Sequence, residues 1–148
     1  MQTPCEFLEP FIEHQGERRG FWLRKPRNIG EKLLVARRGT SIADSRKVVI
    51  FLDFRSAFGT GGHGTTEGCL LALEKRLQGG ESVLDVGTGT GILAIAARKL
   101  GAGRVTAVDI DAAACAEARS NIALNGIANG IEVIEGGAGS ARAPADVV

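Results

Sequence analysis

The sequence predicts an α/β fold, a parallel sheet with helices on both faces. Three observations carry that prediction. From residue 66 onward, short apolar runs alternate with segments of helical period, the pattern of strands joined by right-handed crossovers. A glycine-rich turn, V-L-D-V-G-T-G-T-G-I over residues 83–92, joins a strand pattern to a helix pattern. An acidic residue, Asp109, ends the next strand pattern 20 residues after Gly89.

The elements follow in order. Residues 1–20 give a weak helical pattern through Phe7, Leu8, Phe11 and Ile12, and then a polar run. Phe21-Trp22-Leu23 and Leu33-Leu34-Val35 read as short strands separated by Pro26 and Gly30. The continuous apolar run at 48–52 predicts a buried strand. A glycine-rich loop follows, and then a helix with Leu70, Leu73 and Leu77 on one face, stopped by Gly79-Gly80. Residues 82–86 predict a strand, and 92–100 a helix with Gly101 as its C-terminal stop. Residues 105–108 predict the next strand. Asp111 is placed to cap a helix that runs to about Asn125, before Gly126. Residues 131–134 predict a strand, 136–145 a Gly- and Ala-rich loop, and 146–148 the start of one more strand. The four strands from residue 82 onward are expected in the sheet order 3-2-1-4. The division expected is an N-terminal extension or linker with short strands at 1–55, and a cofactor-binding domain at 56–148.

Composition narrows the function classes. At 44% hydrophobic residues the chain can bury a real core. No apolar run is long enough to cross a bilayer, and the N-terminus lacks the basic start and apolar stretch of a signal peptide. The cytoplasm is therefore the expected location. Cys5, Cys69 and Cys115 form no CxxC pair, and with two histidines they give no metal-ligand spacing. Net charge is +1 but uneven: 11 Lys/Arg against 7 Asp/Glu in residues 1–55, and 7 against 10 in the rest. The basic third could face RNA or a ribosomal partner, but interleaved aromatic residues of the kind single-strand binders use are not evident there. No direct reading of nucleic acid is expected.

The glycine turn decides between ligands. A dinucleotide fingerprint reads G-x-G-x-x-G/A; here the third glycine comes one residue early, at Gly91, and position 92 is Ile. Asp85 stands two residues before Gly87. A carboxylate there would repel a pyrophosphate and could pair with an ammonium group, which suits the methionine end of S-adenosyl-L-methionine. Asp109 can accept hydrogen bonds from both ribose hydroxyls. Gly87, Thr88, Gly89, Gly91 and Ile110 complete this half of the candidate site. Other readings stand beside it: Gly91 as a residue of close helix–strand packing, Asp85 as a cap for local amides, and Asp111 as a helix cap rather than a ligand contact.

A second motif, A-F-G-T-G-G-H-G-T-T at 57–66, is not part of a generic nucleotide fold. With L-D-V-G-T-G-T-G-I-L-A-I-A-A at 84–97, D-I-D at 109–111 and N-I-A-L-N-G at 121–126, it resembles the PrmA-type methyltransferases of large-subunit ribosomal protein eleven. The resemblance covers roughly residues 21–148. It implies a Rossmann-like class I S-adenosylmethionine-dependent methyltransferase fold and N-methylation of a ribosomal protein, on a lysine or N-terminal amine. It also implies that Phe58, Gly59, Thr60, His63, Thr65 and Thr66 line the cofactor pocket while Gly87, Gly89 and Asp109 hold the cofactor. His63 could equally order its loop through a hydrogen bond. Methylation of another protein or small molecule, and a non-catalytic cofactor-binding module, are the alternative functions.

The chain also departs from the family pattern. Asp53-Phe54-Arg55-Ser56 stands where the family has Asp-Pro-Gly before the loop, and Gly136-Gly137-Ala138 stands where an acidic residue often meets adenine. The resemblance implies a truncation at both ends: little of the family's N-terminal substrate-recognition domain, and neither the later strands nor the Asn-containing segment beside the transferred methyl. No residue is assigned a catalytic role. The chain by itself is expected to bind cofactor, to self-associate and to turn over weakly or not at all.

Overall fold

A computed structural model describes residues 25–43, 46–53 and 64–148. The strands are β1 (Arg27–Ile29), β2 (Leu33–Arg37), β3 (Val48–Leu52), β4 (Ser82–Val86), β5 (Arg104–Asp109) and β6 (Ile131–Glu135). The helices among the described residues are α1 (Gly64–Arg76), α2 (Ile92–Lys99) and α3 (Ala112–Leu124), and a 3-10 turn spans Ala138–Ser140. The helical pattern of residues 1–20, the strand expected at 21–23 and the loop at 54–63 lie outside the described residues.

Strands β4, β5 and β6 form a parallel sheet in the order β4-β5-β6. Beyond β4, Val147 bridges Val83 in parallel. The Leu84 amide donates to the Val147 carbonyl at 2.8 Å, and the Asp146 carboxylate takes the Ser82 amide and hydroxyl at 2.8 and 2.7 Å. The observed order, β6-β5-β4 and then residue 147, is the expected 3-2-1-4.

Both helices of this half stop where glycine permits a left-handed residue. Gly101 (φ +108°) and Gly126 (φ +69°) each follow a helix end. After α2, Gly101 N–H bonds Arg98 and Ala102 N–H bonds Ala97; after α3, Gly126 bonds Ala123 and Ile127 bonds Ile122. Each pair satisfies carbonyls that the helix end would otherwise orphan. At the other end of α3, the Asp111 side chain accepts from the Ala113 amide at 2.8 Å, the predicted cap.

A second sheet, β1-β2-β3, pairs β1 to β2 antiparallel and β2 to β3 in parallel. The sequence reading recognised β2 and β3 but not β1. In Arg27-Asn28-Ile29 only Ile29 is of a strand-forming type; the turn that follows supports its pairing. There Gly30 adopts φ +57°, and the Glu74 carboxylate of α1 accepts from the Glu31 and Lys32 amides at 2.8 and 3.0 Å.

Helix α2 touches β3 of one sheet and β4 and β5 of the other. That position explains its composition. Ala94, Ile95, Ala96 and Ala97 are all fully buried, and a helix buried nearly all round must be apolar nearly all round. Alanines keep it thin. One core therefore joins the two sheets: Ile29, Leu33, Ile50 and Leu52 pack with Leu70, Ile95, Val105 and Ala107.

The chain segments before β4 and before β5 pass very close together. A Cβ on Gly103 would stand 2.6 Å from the Gly80 carbonyl oxygen. Backbone cannot yield as a flexible side chain can, so Gly103→Ala is expected to destabilise the fold by about 1–3 kcal/mol. Urea unfolding measures this, and an unchanged midpoint would show that the two segments part freely.

Candidate functional site

The site lies at the carboxyl ends of β4 and β5, where open parallel sheets present their ligand crevice. Strand β4 ends at Val86, and the chain turns through Gly87, Thr88, Gly89 and Thr90 into α2. Three left-handed residues make the turn: Gly87 (φ +75°), Gly89 (φ +54°) and Gly91 (φ +81°). Other residues rarely adopt such angles. The Val108 carbonyl of β5 accepts from both the Gly87 and Thr88 amides, at 2.8 and 3.0 Å.

Two carboxylates flank this turn. Asp109 Oδ2 accepts from the Gly89 amide at 3.0 Å, and Asp109 Oδ1 from the Asp111 amide at 3.0 Å. Asp85 is buried, and its Oδ2 accepts from the Thr88 hydroxyl at 2.7 Å. Burial pushes the Asp85 carboxyl above its usual range; the Thr88 hydroxyl and the Ala94 amide oppose that shift, and the nearby Asp109 charge adds to it.

The fold thus brings together Asp85, Gly87, Thr88, Gly89 and Asp109, all expected from the sequence. Gly91 sits at the N-terminus of α2, and a Cβ there would stand 3.2 Å from Ala118 of α3. The close approach at Gly91 is thus between two helices, whereas the packing expected from the sequence was of helix on strand. Ile110 is adjacent to Asp109 and 82% exposed, an apolar side chain held out into solvent. Thr65 and Thr66 stand in the first turn of α1. Phe58, Gly59, Thr60 and His63 lie outside the described residues.

Two observations bear on whether a ligand fits. Among the described residues, a Cβ on Gly87 would meet nothing within 4 Å, so they leave the turn open on that side. The Thr90 hydroxyl is buried and has no hydrogen-bond partner among the described residues. A cleft of about 570 Å³ adjoins the turn between α1 and the edge of β4, lined by Cys69, Leu73, Arg76, Val83, Asp85 and Val86 among others. No group of three or more metal-ligating side chains occurs among the described residues, and no described helix is long and apolar enough to cross a membrane.

Asn121 and Asn125 were quoted in the sequence only as part of N-I-A-L-N-G, without a role. Asn121 is fully buried, and its Nδ2 donates to the Thr90 carbonyl at 3.0 Å. The signal was their spacing. Two amides four residues apart share one helix face, and a polar face turned inward needs partners.

The family model of ribosomal protein L11 methyltransferase (PrmA) matches residues 19–148. The ribosomal protein L11 methyltransferase of Desulforamulus reducens is 46% identical over 118 residues, covering 78% of this chain and 38% of that protein. Its counterpart in Pelotomaculum thermopropionicum is 47% identical over 113 residues, covering 76% and 37%. The crystal structure of a ribosomal protein L11 methylase from Lactobacillus delbrueckii subsp. bulgaricus superposes with a TM-score of 0.65 at 37% identity, covering 74% of this chain and 55% of that one. The chain thus spans less than two fifths of the length of these curated relatives.

Proposed function

The chain belongs to the ribosomal protein L11 methyltransferase (PrmA) family, and from that premise we propose that its glycine turn binds S-adenosyl-L-methionine, as part of a cytoplasmic protein that methylates a nitrogen of a ribosomal protein. The observation that carries this reading is the pair of carboxylates on one turn: Asp85 buried before it and Asp109 bonded across it. Asp109 keeps lone pairs for the ribose hydroxyls, since each oxygen spends only one on a backbone amide. Asp85 faces the cofactor's ammonium group, directly or through water. Gly87, Thr88 and Gly89 let the backbone approach, and the exposed Ile110 offers the adenine ring an apolar surface. Phe58, Gly59, Thr60, His63, Thr65 and Thr66 close the pocket in this reading. Residues 56–148 carry the cofactor unit, and residues 1–55 are an extension whose strands β1 to β3 pack on it.

When bound, the cofactor supplies a methyl group on a sulfonium, ready for in-line displacement. This chain's residues bind and orient it; none of them is assigned to the acceptor nitrogen.

Two measurements test the reading. Calorimetry on the 148-residue chain should show saturable S-adenosylhomocysteine binding. NAD should bind more weakly or not at all, because Asp85 repels a pyrophosphate and Ile92 holds the place of the third dinucleotide glycine. NAD binding tighter than that of S-adenosylmethionine would reverse the cofactor assignment. Methyl transfer is read in a chimera in which residues 19–148 replace the matching segment of the Desulforamulus reducens protein. Radiolabel should appear on ribosomal protein L11. A folded chimera that binds S-adenosylhomocysteine yet leaves that protein unlabelled would refute the substrate assignment.

A further inference from the structure

We infer that Asn121 is a positioning residue that ties the glycine turn to the end of β3, so that the geometry of one fixes the geometry of the other. The inference deepens the cofactor reading above and rests on it for its functional consequence.

Among the described residues, strand β3 pairs with β2 along one edge only. Its other edge is filled by side chains at every second residue. Lys99 Nζ donates to the Val49 carbonyl at 2.6 Å. Asn125 Oδ1 accepts from the Phe51 amide at 2.9 Å, while its Nδ2 donates to the Phe51 carbonyl at 2.7 Å. Asn121 Oδ1 accepts from the Asp53 amide at 2.8 Å. The carboxamide of Asn125 copies what a neighbouring strand would offer, and it closes an edge that would otherwise stand open.

Asn121 differs from the other two. Lys99 and Asn125 reach no residue of the glycine turn in these bonds, whereas Asn121 spends its NH₂ on the Thr90 carbonyl at 3.0 Å. A carboxamide offers one acceptor oxygen and one donor nitrogen, and here each takes a different segment. With its side chain wholly buried, no water is at hand to replace either bond. The turn is then held at two successive residues: the Gly89 amide by the Asp109 carboxylate and the Thr90 carbonyl by Asn121. Helix α3 supplies the second hold, through Asn121. Glycines on both sides of Thr90 give that peptide little stiffness of its own, so the Asn121 bond fixes its orientation.

Asn121→Asp separates the two halves of the bridge. It keeps an acceptor for the Asp53 amide but sets a carboxylate oxygen against the Thr90 carbonyl. Asn121→Ala removes both bonds, whereas Asn125→Ala removes the edge closure at Phe51 and the bond from its Nδ2 to the Asn121 backbone carbonyl, and leaves the Asn121 carboxamide and its two bonds in place. Two readouts apply to each variant: S-adenosylhomocysteine affinity by calorimetry, and amide exchange at Phe51, Asp53 and Gly91 by NMR. Asn121→Asp should lose about tenfold or more in affinity, as expected for one buried hydrogen bond to a charged ligand's loop. Its Gly91 amide should exchange faster while Phe51 stays protected. Asn125→Ala should expose Phe51 and bind within about twofold of the parent, since it leaves the turn's bonds in place. Equal losses of affinity in Asn125→Ala and Asn121→Asp would reduce Asn121 to ordinary packing and overturn the inference. So would an Asn121→Asp chain with parental affinity and parental Gly91 exchange. If Asn121→Ala fails to fold, the aspartate variant still decides. If the parent chain binds no S-adenosylhomocysteine, the cofactor reading fails while the exchange pattern decides the coupling by itself.

Discussion

Replacing Asp109 by alanine is expected to weaken S-adenosylhomocysteine binding by about 1.5–3 kcal/mol, the worth of a charge-assisted hydrogen bond, which is roughly 10- to 150-fold in affinity. Two losses combine. The ribose hydroxyls lose their acceptor, and the turn loses the carboxylate that holds the Gly89 amide. The isosteric Asp109→Asn is expected to fail as well. Both carboxylate oxygens accept from backbone amides, Gly89 on one side and Asp111 on the other. A carboxamide can serve only one of them, and its NH₂ then faces an N–H donor. The unmatched amide costs about 1–3 kcal/mol where it is shielded from water. Calorimetry with both variants, alongside circular dichroism to confirm folding, gives the measurement. Parental affinity in a folded Asp109→Asn chain would mean that the charge at this position holds neither the turn nor the ribose.

Much of this arrangement was legible in the residues. The half from residue 82 onward carries its signals locally: apolar runs for β4, β5 and β6, Gly101 and Gly126 as helix stops, and Asp111 as a cap. Short-range physics decides such features, so the sequence shows them. The strand order 3-2-1-4 followed from crossover rules rather than from any single residue. What the sequence did not show depends on partners distant along the chain. Strand β1 exists because Glu74, more than 40 residues away, holds the turn after it. The parallel pairing of β2 with β3 is equally non-local. Asn121 and Asn125 read as polar positions on a helix until α3 is laid against β3, 68 and 74 residues earlier. Of the site, the glycines and both aspartates were legible because backbone turns and buried charge need special residue types. The brace behind them was not, because the spacing of two asparagines marks a polar helix face without specifying the strand that meets it.

Asp85 provides the test in which stability and function should move in opposite directions. Its carboxyl is buried and its pKa is raised, chiefly by desolvation. A carboxyl whose folded pKa lies above its unfolded value costs stability wherever it must ionise. That cost is full above the raised folded pKa and is relieved as pH falls through it toward the unfolded value. Asp85→Asn removes the ionisation and keeps an acceptor for the Thr88 hydroxyl, while its NH₂ gives up the bond from the Ala94 amide, a smaller loss than the desolvation it relieves. The variant should therefore melt higher than the parent at neutral and alkaline pH, and the difference should shrink on acidification. Binding should respond the other way. If Asp85 faces the cofactor's ammonium, the variant loses a charge-assisted contact and about 10- to 150-fold in S-adenosylhomocysteine affinity at neutral pH. Parental affinity should itself decline as pH falls through the Asp85 pKa, because a protonated carboxyl must release its proton to pair with the ammonium. The affinity of Asp85→Asn should lack that titration. Thermal melts and calorimetry across pH, on both chains, separate the two effects. A stabilised variant with parental affinity would leave Asp85 as a cap for the turn and assign the ammonium to another group. A variant that is destabilised at neutral pH would show that the carboxylate gains more from Thr88 and Ala94 than burial costs it, and would reverse the direction given for its pKa.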